Sequence, residues 1–112
     1  MPLILLADDD FVNLAILQEV ILSAGYEVVT ASDGAEAFAI CQSEPVDFVL
    51  TDYQTPKLSG LELGEKIKGE IPFAVMSSAD IEHVALDTGA VAFFKKPVKH
   101  QEIVGCIVTH TR

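Results

Sequence analysis

Five short apolar runs, each followed by a longer segment with apolar residues at helical spacing, are the feature that most constrains the fold of this chain. The runs cover residues 3–7, 26–31, 46–51, 71–77 and 91–95. Such runs predict strands that are buried on both faces, because a sheet with one face in water would alternate apolar and polar residues. Strands alternating with helices predict an α/β fold of the (βα)5 type, with right-handed crossovers.

The segments between the apolar runs predict five helices. They cover residues 11–24, 33–44, 60–69, 80–87 and 98–109. Ser32 and Asp33 can cap the second helix, and Glu36 follows Asp33 at the spacing of a capping box. Gly25 is placed to end the first helix in a left-handed conformation. We expect Asp10 to cap the first helix rather than to bind a metal.

Length and composition favour one globular domain. The chain has 112 residues, half of them apolar, which is enough to form a core and excludes a disordered chain. No apolar run reaches the roughly 18 residues of a membrane span, and the amino terminus lacks the basic region of a signal peptide. Cys41 and Cys106 lie far apart among apolar residues, which favours reduced thiols in a cytoplasmic protein.

Charge is distributed unevenly along the chain. The net charge is −10, and residues 1–54 contain ten acidic residues and no basic one. A nucleic-acid surface needs clustered Lys and Arg, so direct nucleic-acid binding is not expected. An acidic half indicates instead a cation as ligand or a basic protein as partner.

Polar side chains stand at four of the five strand ends. They are Asp8, Asp9, Asp10, Asp52, Ser77, Ser78, Lys95 and Lys96. In doubly wound sheets the ligand site lies beyond the carboxyl ends of the strands. Converging carboxylates favour an oxygen-liking divalent cation such as Mg²⁺, and an ammonium and a hydroxyl group can bind phosphoryl oxygens. A carboxylate can also serve as the nucleophile of aspartyl-phosphate chemistry.

These motifs together resemble the CheY-like receiver domains of two-component response regulators. The matching stretches are residues 5–10, 49–56, 60, 76–79, 89–90 and 95–97. The resemblance extends from Leu3 to about Val108 and implies a flavodoxin-like, doubly wound, five-stranded parallel sheet of order 2-1-3-4-5. Lys96 follows Ser78 by only 18 residues, so we expect a fourth helix about one turn shorter than is usual in the family.

The resemblance implies a metal-dependent phosphoacceptor site. Asp52 would accept the phosphoryl group. Asp8, Asp9, Asp52 and the backbone carbonyl of Gln54 would bind Mg²⁺ or Mn²⁺. The peptide bond between Lys96 and Pro97 would be cis.

Further residues have implied roles around this site. Ser78 would bind the phosphoryl group and, together with Phe93, act as the switch. Lys96 would pair with Asp52 or with the phosphoryl oxygens. Gln54 and Asp80 would tune the lifetime of the phosphoryl group.

The function that the resemblance implies is a phosphoacceptor in a two-component phosphorelay. The donor would be a histidine kinase or a histidine phosphotransfer protein, and the downstream partner would be a protein bound by helix 4, strand 5 and helix 5. The chain would catalyse only its own phosphorylation and dephosphorylation, with no membrane insertion. We expect residues 1–112 to form a single receiver domain without an output domain. Dimerisation of the phosphorylated form is left open.

Three alternatives compete with this interpretation. One is a receiver-like module that docks without being phosphorylated, which the retained acids and Lys96 disfavour. Another is a haloacid-dehalogenase-like phosphatase with Asp8 as nucleophile and Asp10 in its first motif. It lacks the acidic pair expected beyond Lys96 and has no role for Asp52. An FMN-binding domain is disfavoured because no phosphate loop rich in Ser, Thr and Gly follows the first run.

Overall fold

A five-stranded parallel sheet with helices on both faces forms the architecture, in a computed structural model that describes residues 2–55 and 57–111. The strands are β1 (Leu3–Ala7), β2 (Glu27–Ala31), β3 (Phe48–Asp52), β4 (Phe73–Ser77) and β5 (Ala92–Lys95). The helices are α1 (Phe11–Ser23), α2 (Gly34–Ser43), α3 (Gly60–Ile67), α4 (Glu82–Thr88) and α5 (His100–His110). The order β2-β1-β3-β4-β5 confirms the predicted flavodoxin-like fold.

Each face of the sheet has its own apolar core, because successive side chains of a strand point to opposite faces. In β1, Ile4 and Leu6 face α1 and α5, whereas Leu5 and Ala7 face the other three helices. The α1/α5 cluster consists of Ile4, Leu6, Leu14, Leu17, Ile21, Phe48, Leu50, Ala74, Met76, Ile103 and Ile107. The α2–α4 cluster contains Leu5, Ala7, Ala31, Ala37, Val46, Val49, Leu63, Ile67, Phe73, Val75, Ala85 and Ala90. Burial on both faces explains why β1, β3 and β4 appear as continuous apolar runs, whereas the edge strands β2 and β5 are only partly buried.

Several element boundaries differ from those predicted. β3 begins at Phe48 and includes Asp52, which pairs with Met76 of β4. Val46 and Asp47 lead into this strand, and the Asp47 carboxylate accepts a hydrogen bond of 2.8 Å from the Leu3 N–H. β4 begins at residue 73 rather than 71, and α5 at residue 100 rather than 98. α4 has seven residues, so the predicted short fourth helix is confirmed.

The predicted helix caps are largely present. The Asp10 carboxylate caps α1 by accepting from Val12 N–H, and Asp33 caps α2 by accepting from Glu36 N–H at 2.7 Å. The Glu36 carboxylate returns a bond to the backbone N–H of Ser32 instead of that of Asp33, so the capping box is displaced by one residue. Gly25 has the left-handed conformation expected after α1.

Two other expectations can be compared with the fold. The Lys96–Pro97 peptide bond is cis, as the resemblance implied. Within the described residues, no helix combines the length and the apolar character needed to cross a bilayer. Pro56, part of one of the matching stretches, lies outside the described residues.

The packing of α3 against β4 depends on a glycine. A Cβ atom added at Gly64 would lie 2.4 Å from a ring carbon of Phe73, whose side chain is fully buried. Because the ring has no space into which it can move, Gly64→Ala is expected to lower the free energy of unfolding by about 1–3 kcal/mol. Urea unfolding of both proteins measures the difference.

Gly105→Ala provides the matched control for this substitution. A Cβ atom at Gly105, an exposed position within α5, would have no heavy atom within 4 Å. Alanine is a better helix former than glycine, so Gly105→Ala is expected to raise the free energy of unfolding by about 0.5–1 kcal/mol. Equal effects of the two substitutions would contradict the assigned packing.

Candidate functional site

Three carboxylates converge at the carboxyl edge of the sheet. Asp8 directly follows β1 and Asp52 ends the neighbouring β3, so the parallel arrangement brings the two side chains together. One oxygen each of Asp8, Asp9 and Asp52 lie within 4.8 Å of one another. Asp8 is 1% exposed and Asp52 8% exposed, whereas Asp9 is open to solvent. The strand-end analysis predicted this convergence.

Lys96 supplies the positive charge of this cluster. Its Nζ lies 2.7 Å from Oδ2 of Asp52 and 3.5 Å from Oδ2 of Asp8. The backbone N–H of Lys96 donates to the carbonyl of Ser77, which fixes the residue just beyond β5. We refer to Asp8, Asp9, Asp52 and Lys96 as the acidic site.

The buried Asp8 carboxylate is held by donors from the following segment. Its Oδ1 accepts a 3.0 Å bond from the backbone N–H of Asp10, and its Oδ2 accepts a 2.6 Å bond from the side-chain amide of Asn13. The sequence analysis did not identify Asn13. The available signal was its position in the first turn of a helix capped by Asp10, because side chains there lean back toward the preceding strand end.

Asp52 is fixed by the loop that follows β3. Its Oδ1 accepts a 3.1 Å bond from the backbone N–H of Gln54, whose side chain is exposed. The carbonyl of Tyr53 accepts from the N–H of Gly60 at 2.8 Å. A Cβ atom at Gly60 would lie only 2.6 Å from the backbone oxygen of Asp52. A glycine is therefore required where α3 begins.

The electrostatics of the acidic site are unfavourable for an ionised Asp52. Burial raises the pKa of Asp52, and the charge of Asp8 raises it further, against the lowering effect of hydrogen bonds from Lys96 and Gln54. Burial lowers the pKa of Lys96, but attraction to Asp52 and Asp8 outweighs this effect, so the pKa is raised. Three carboxylates thus face one ammonium. The surplus of hard oxygen donors is of the kind that suits Mg²⁺ or Mn²⁺.

The remaining predicted residues lie around the rim of the acidic site. Ser78 is exposed directly after β4. Asp80 is joined to Lys95 by an exposed ion pair of 2.7 Å rather than to the acidic site. Phe93 lies within β5, half-buried against the α2–α4 cluster. The structure therefore brings Asp8, Asp9, Asp52 and Lys96 into direct contact range and leaves these three residues at the periphery.

The geometry does not support the phosphatase alternative. Asp10 is occupied as a helix cap, with its carboxylate accepting from the N–H groups of Val12 and Asn13. Asp8, the nucleophile in that alternative, is only 1% exposed, whereas Asp52 is 8% exposed.

Large apolar side chains are exposed near the start of α1, the helix that follows Asp8 and Asp9 in the chain. The first two residues of α1 are Phe11 and Val12, which are 75% and 69% exposed, and Ile16 one turn later is 46% exposed. Side chains of this size are normally buried, and an exposed group of them indicates a surface that contacts another protein. We call these three residues the α1 patch.

Comparison with known proteins is consistent across sequence and structure. A family model described as the response regulator receiver domain matches residues 4–108. Two-component response regulator ORR5 of Oryza sativa subsp. japonica is 32% identical over 111 residues, covering 91% of this chain and 83% of ORR5. The transcriptional regulatory protein PhoP of Bacillus subtilis is 31% identical, covering 89% of this chain but 44% of PhoP.

Solved structures of similar fold support the same family. A receiver domain protein from Clostridium thermocellum superposes with a TM-score of 0.91 at 28% identity, covering 99% of this chain and 94% of its own. The receiver domain of Saccharomyces cerevisiae Ssk1, crystallised with the histidine phosphotransfer protein Ypd1, gives a TM-score of 0.90 at 20% identity, with coverage of 98% and 88%. At that identity the second likeness concerns the fold alone.

Asp52→Asn is expected to raise the melting temperature of the cation-free protein at neutral pH. Because the pKa of Asp52 is raised in the folded state, the ionised carboxylate lowers the free energy of unfolding once the pH exceeds its folded-state pKa. Below the ordinary aspartate pKa of about 3.9, both states are protonated and the gain should disappear. Thermal melts in EDTA across this pH range measure the effect.

Asp9→Asn serves as the control in the same melts. Asp9 is exposed, so its carboxylate keeps more of its hydration in the folded protein than that of Asp52. The rise in melting temperature should therefore be smaller for Asp9→Asn than for Asp52→Asn. A lower melting temperature for Asp52→Asn than for the wild type at neutral pH would contradict the electrostatic assignment.

Proposed function

This chain belongs to the receiver domains of two-component response regulators, and on that premise we propose that Asp52 accepts a phosphoryl group from a phosphohistidine. The observation that supports this assignment most directly is the 2.7 Å contact between Lys96 Nζ and Asp52 Oδ2. It places a positive charge beside one carboxylate oxygen at the edge where a ligand can approach. Lys96 Nζ lies farther from Asp8, at 3.5 Å from its Oδ2, and Asp8 is the more deeply buried of the two, with 1% exposure against 8% for Asp52.

The proposed reaction transfers the phosphoryl group between two side chains. A carboxylate oxygen of Asp52 forms a bond to phosphorus while the bond from phosphorus to the donor's histidine nitrogen breaks, and the electron pair stays on that nitrogen. Lys96 stabilises the phosphoryl oxygens, and the Ser78 hydroxyl donates a hydrogen bond to one of them. Water later hydrolyses the acyl phosphate and restores Asp52. The chain thereby catalyses its own modification and its own reset.

The metal site in this proposal consists of Asp8, Asp9, Asp52 and the backbone carbonyl of Gln54. Their oxygens fit Mg²⁺ or Mn²⁺, and the closeness of three carboxylates supports such a site. A bound divalent cation supplies the charge neutralisation that the acidic site lacks when a phosphoryl group approaches.

The α1 patch supports a protein as phosphoryl donor. Phe11, Val12 and Ile16 are exposed on the helix that follows Asp8 and Asp9 in the chain, and a small phosphorylated metabolite would not need exposed apolar side chains of this size. A histidine kinase or a histidine phosphotransfer protein provides both a phosphohistidine and an apolar helical surface. The Ssk1 receiver, crystallised with Ypd1, shows a receiver domain and such a protein in one complex.

The response would reach a downstream protein through α4, β5 and α5. Large apolar side chains are exposed there at Val84, Leu86, Val91 and Val108, each between 38% and 44%. The phosphoryl group adds about −1.5 to −2 charge at Asp52. We infer that Ser78 and Phe93 pass this change to the α4–β5–α5 surface. Dimerisation of the phosphorylated form would use the same surface.

Two further parts of the proposal concern lifetime and location. Gln54 and Asp80 lie two residues beyond Asp52 and Ser78, and their influence on the lifetime of the phosphoryl group stays a prediction. The proposal places the chain in the cytoplasm. The two free, half-buried cysteines support a reducing compartment.

Asp52→Asn is expected to abolish phosphorylation, because an amide cannot act as the nucleophile. Intact-mass spectrometry after incubation with phosphoramidate, with and without Mg²⁺, should show one added phosphoryl group on the wild type only with the metal. Asp47→Asn is the control, since this exposed acid precedes β3 at the opposite edge of the sheet. Labelling of Asp52→Asn at the wild-type rate would contradict the assignment. An unlabelled wild type would favour a module that docks without phosphorylation.

Phe11→Ala is expected to slow transfer from a phosphohistidine donor by about tenfold, because truncation of a large apolar contact residue commonly costs at least 1 kcal/mol of binding. Labelling by phosphoramidate, which needs no docking surface, gives the reference rate. The control is Leu22→Ala near the other end of α1, where the side chain is 45% exposed. The quantity compared is the rate of transfer from the phosphohistidine donor divided by the rate of labelling by phosphoramidate. If Phe11→Ala and Leu22→Ala lowered this ratio equally, the α1 patch would not be the docking surface.

A further inference from the structure

The side chain of Asn13 contacts the most buried carboxylate of the acidic site. Its Nδ2 donates to Oδ2 of Asp8 at 2.6 Å. The same oxygen lies 3.5 Å from Lys96 Nζ, while the other oxygen of Asp8 accepts from the backbone N–H of Asp10. Asp8 is only 1% exposed, so these protein donors replace the water that an ionised carboxylate would otherwise bind.

The backbone at Asn13 is held in place by the N-cap of α1. Asn13 lies in the first turn of α1, where the Asp10 carboxylate accepts hydrogen bonds from the backbone N–H groups of Val12 and Asn13. The N-cap therefore fixes the backbone from which the amide reaches Asp8.

A carboxylate oxygen that already accepts a short hydrogen bond is a weaker ligand than a free one. The bond satisfies part of the negative charge, and it must lengthen or break if that oxygen is to bind a cation closely. Of the other two carboxylates, Asp52 also accepts hydrogen bonds, from Lys96 and from the Gln54 N–H, whereas Asp9 is exposed to water.

We propose that Asn13 is a positioning residue that competes with a divalent cation for Oδ2 of Asp8, so that it stabilises the cation-free protein and weakens the cation site. This inference rests on the proposed function, in which Asp8 is a metal ligand. Under it, the affinity for the cation is set partly by a neutral side chain on α1, not only by the number of carboxylates. A site weakened in this way can release its cation between cycles of phosphorylation.

Asn13→Ala tests the competition by two measurements on the full chain. In EDTA, its melting temperature should fall by about 5 °C, because a buried carboxylate loses a donor. In calorimetric titrations with Mg²⁺, its dissociation constant should be about three- to tenfold lower than that of the wild type. A merely structural role would lower the melting temperature without tightening the binding of Mg²⁺.

Asn13→Asp gives a second, independent measurement. It keeps the size of the side chain but replaces the donor with another carboxylate beside Asp8. Its melting temperature in EDTA should be lower still, and Mg²⁺ should bind more tightly and recover more of the lost stability. Gln18→Ala is the matched control, because it removes the other side-chain amide of α1 and should leave the dissociation constant unchanged.

The outcomes separate this inference from the proposed function. If the wild type binds Mg²⁺ and both Asn13 variants bind it equally or more weakly, the competition is refuted while phosphorylation of Asp52 can still be shown by mass. If the wild type binds no Mg²⁺, the metal site of the proposed function and this inference fail together. Tighter binding in both Asn13 variants, with Gln18→Ala unchanged, supports the competition.

Discussion

The contact between Lys96 and Asp52 is the interaction on which the arrangement of this molecule's acidic edge depends. Lys96 directly follows β5 and Asp52 ends β3, so their side chains meet across the end of the intervening β4. Without the ammonium, the buried carboxylates of Asp8 and Asp52 would face each other in a poorly hydrated space with no positive charge beside them. The ion pair places a positive charge beside the two acids that the sheet brings together at this edge.

Two separate apolar cores support this edge. α1 and α5 pack on one face of the sheet, and α2, α3 and α4 pack on the other. The surface proposed for the downstream partner contains one helix from each group, with β5 between them. A displacement of β5 would therefore change the packing of both cores, because Phe93 packs against the α2–α4 cluster and Phe94 packs against the α1/α5 cluster. This position would allow the edge strand β5 to transmit the proposed phosphorylation of Asp52 to both helices of the α4–β5–α5 surface.

The parts of the fold that depend on local pattern could be predicted from the sequence. Continuous apolar runs identified the strands, and the acids that follow them identified the edge at which Asp8 and Asp52 meet. Asn13 could not be found in this way, because its contact with Asp8 depends on how the N-cap orients α1. The pairing of Asp80 with Lys95 was also missed, since 15 residues separate them and only the adjacency of β4 and β5 brings them together. Tertiary geometry decides such contacts.

Because of the strand order, the uneven distribution of charge along the sequence becomes a charge difference between the two sides of the sheet. Residues 1–54, which contain no basic side chain, supply β2, β1 and β3 at one side of the sheet, whereas six lysines follow in the part that supplies β4 and β5. The molecule thus carries a negative pole on the side that includes Phe11 and Asp9. In the field of a basic protein it would rotate before contact so that this side leads, and added salt would weaken that orientation. The charge distribution would therefore orient the molecule toward a basic protein before the two surfaces touch.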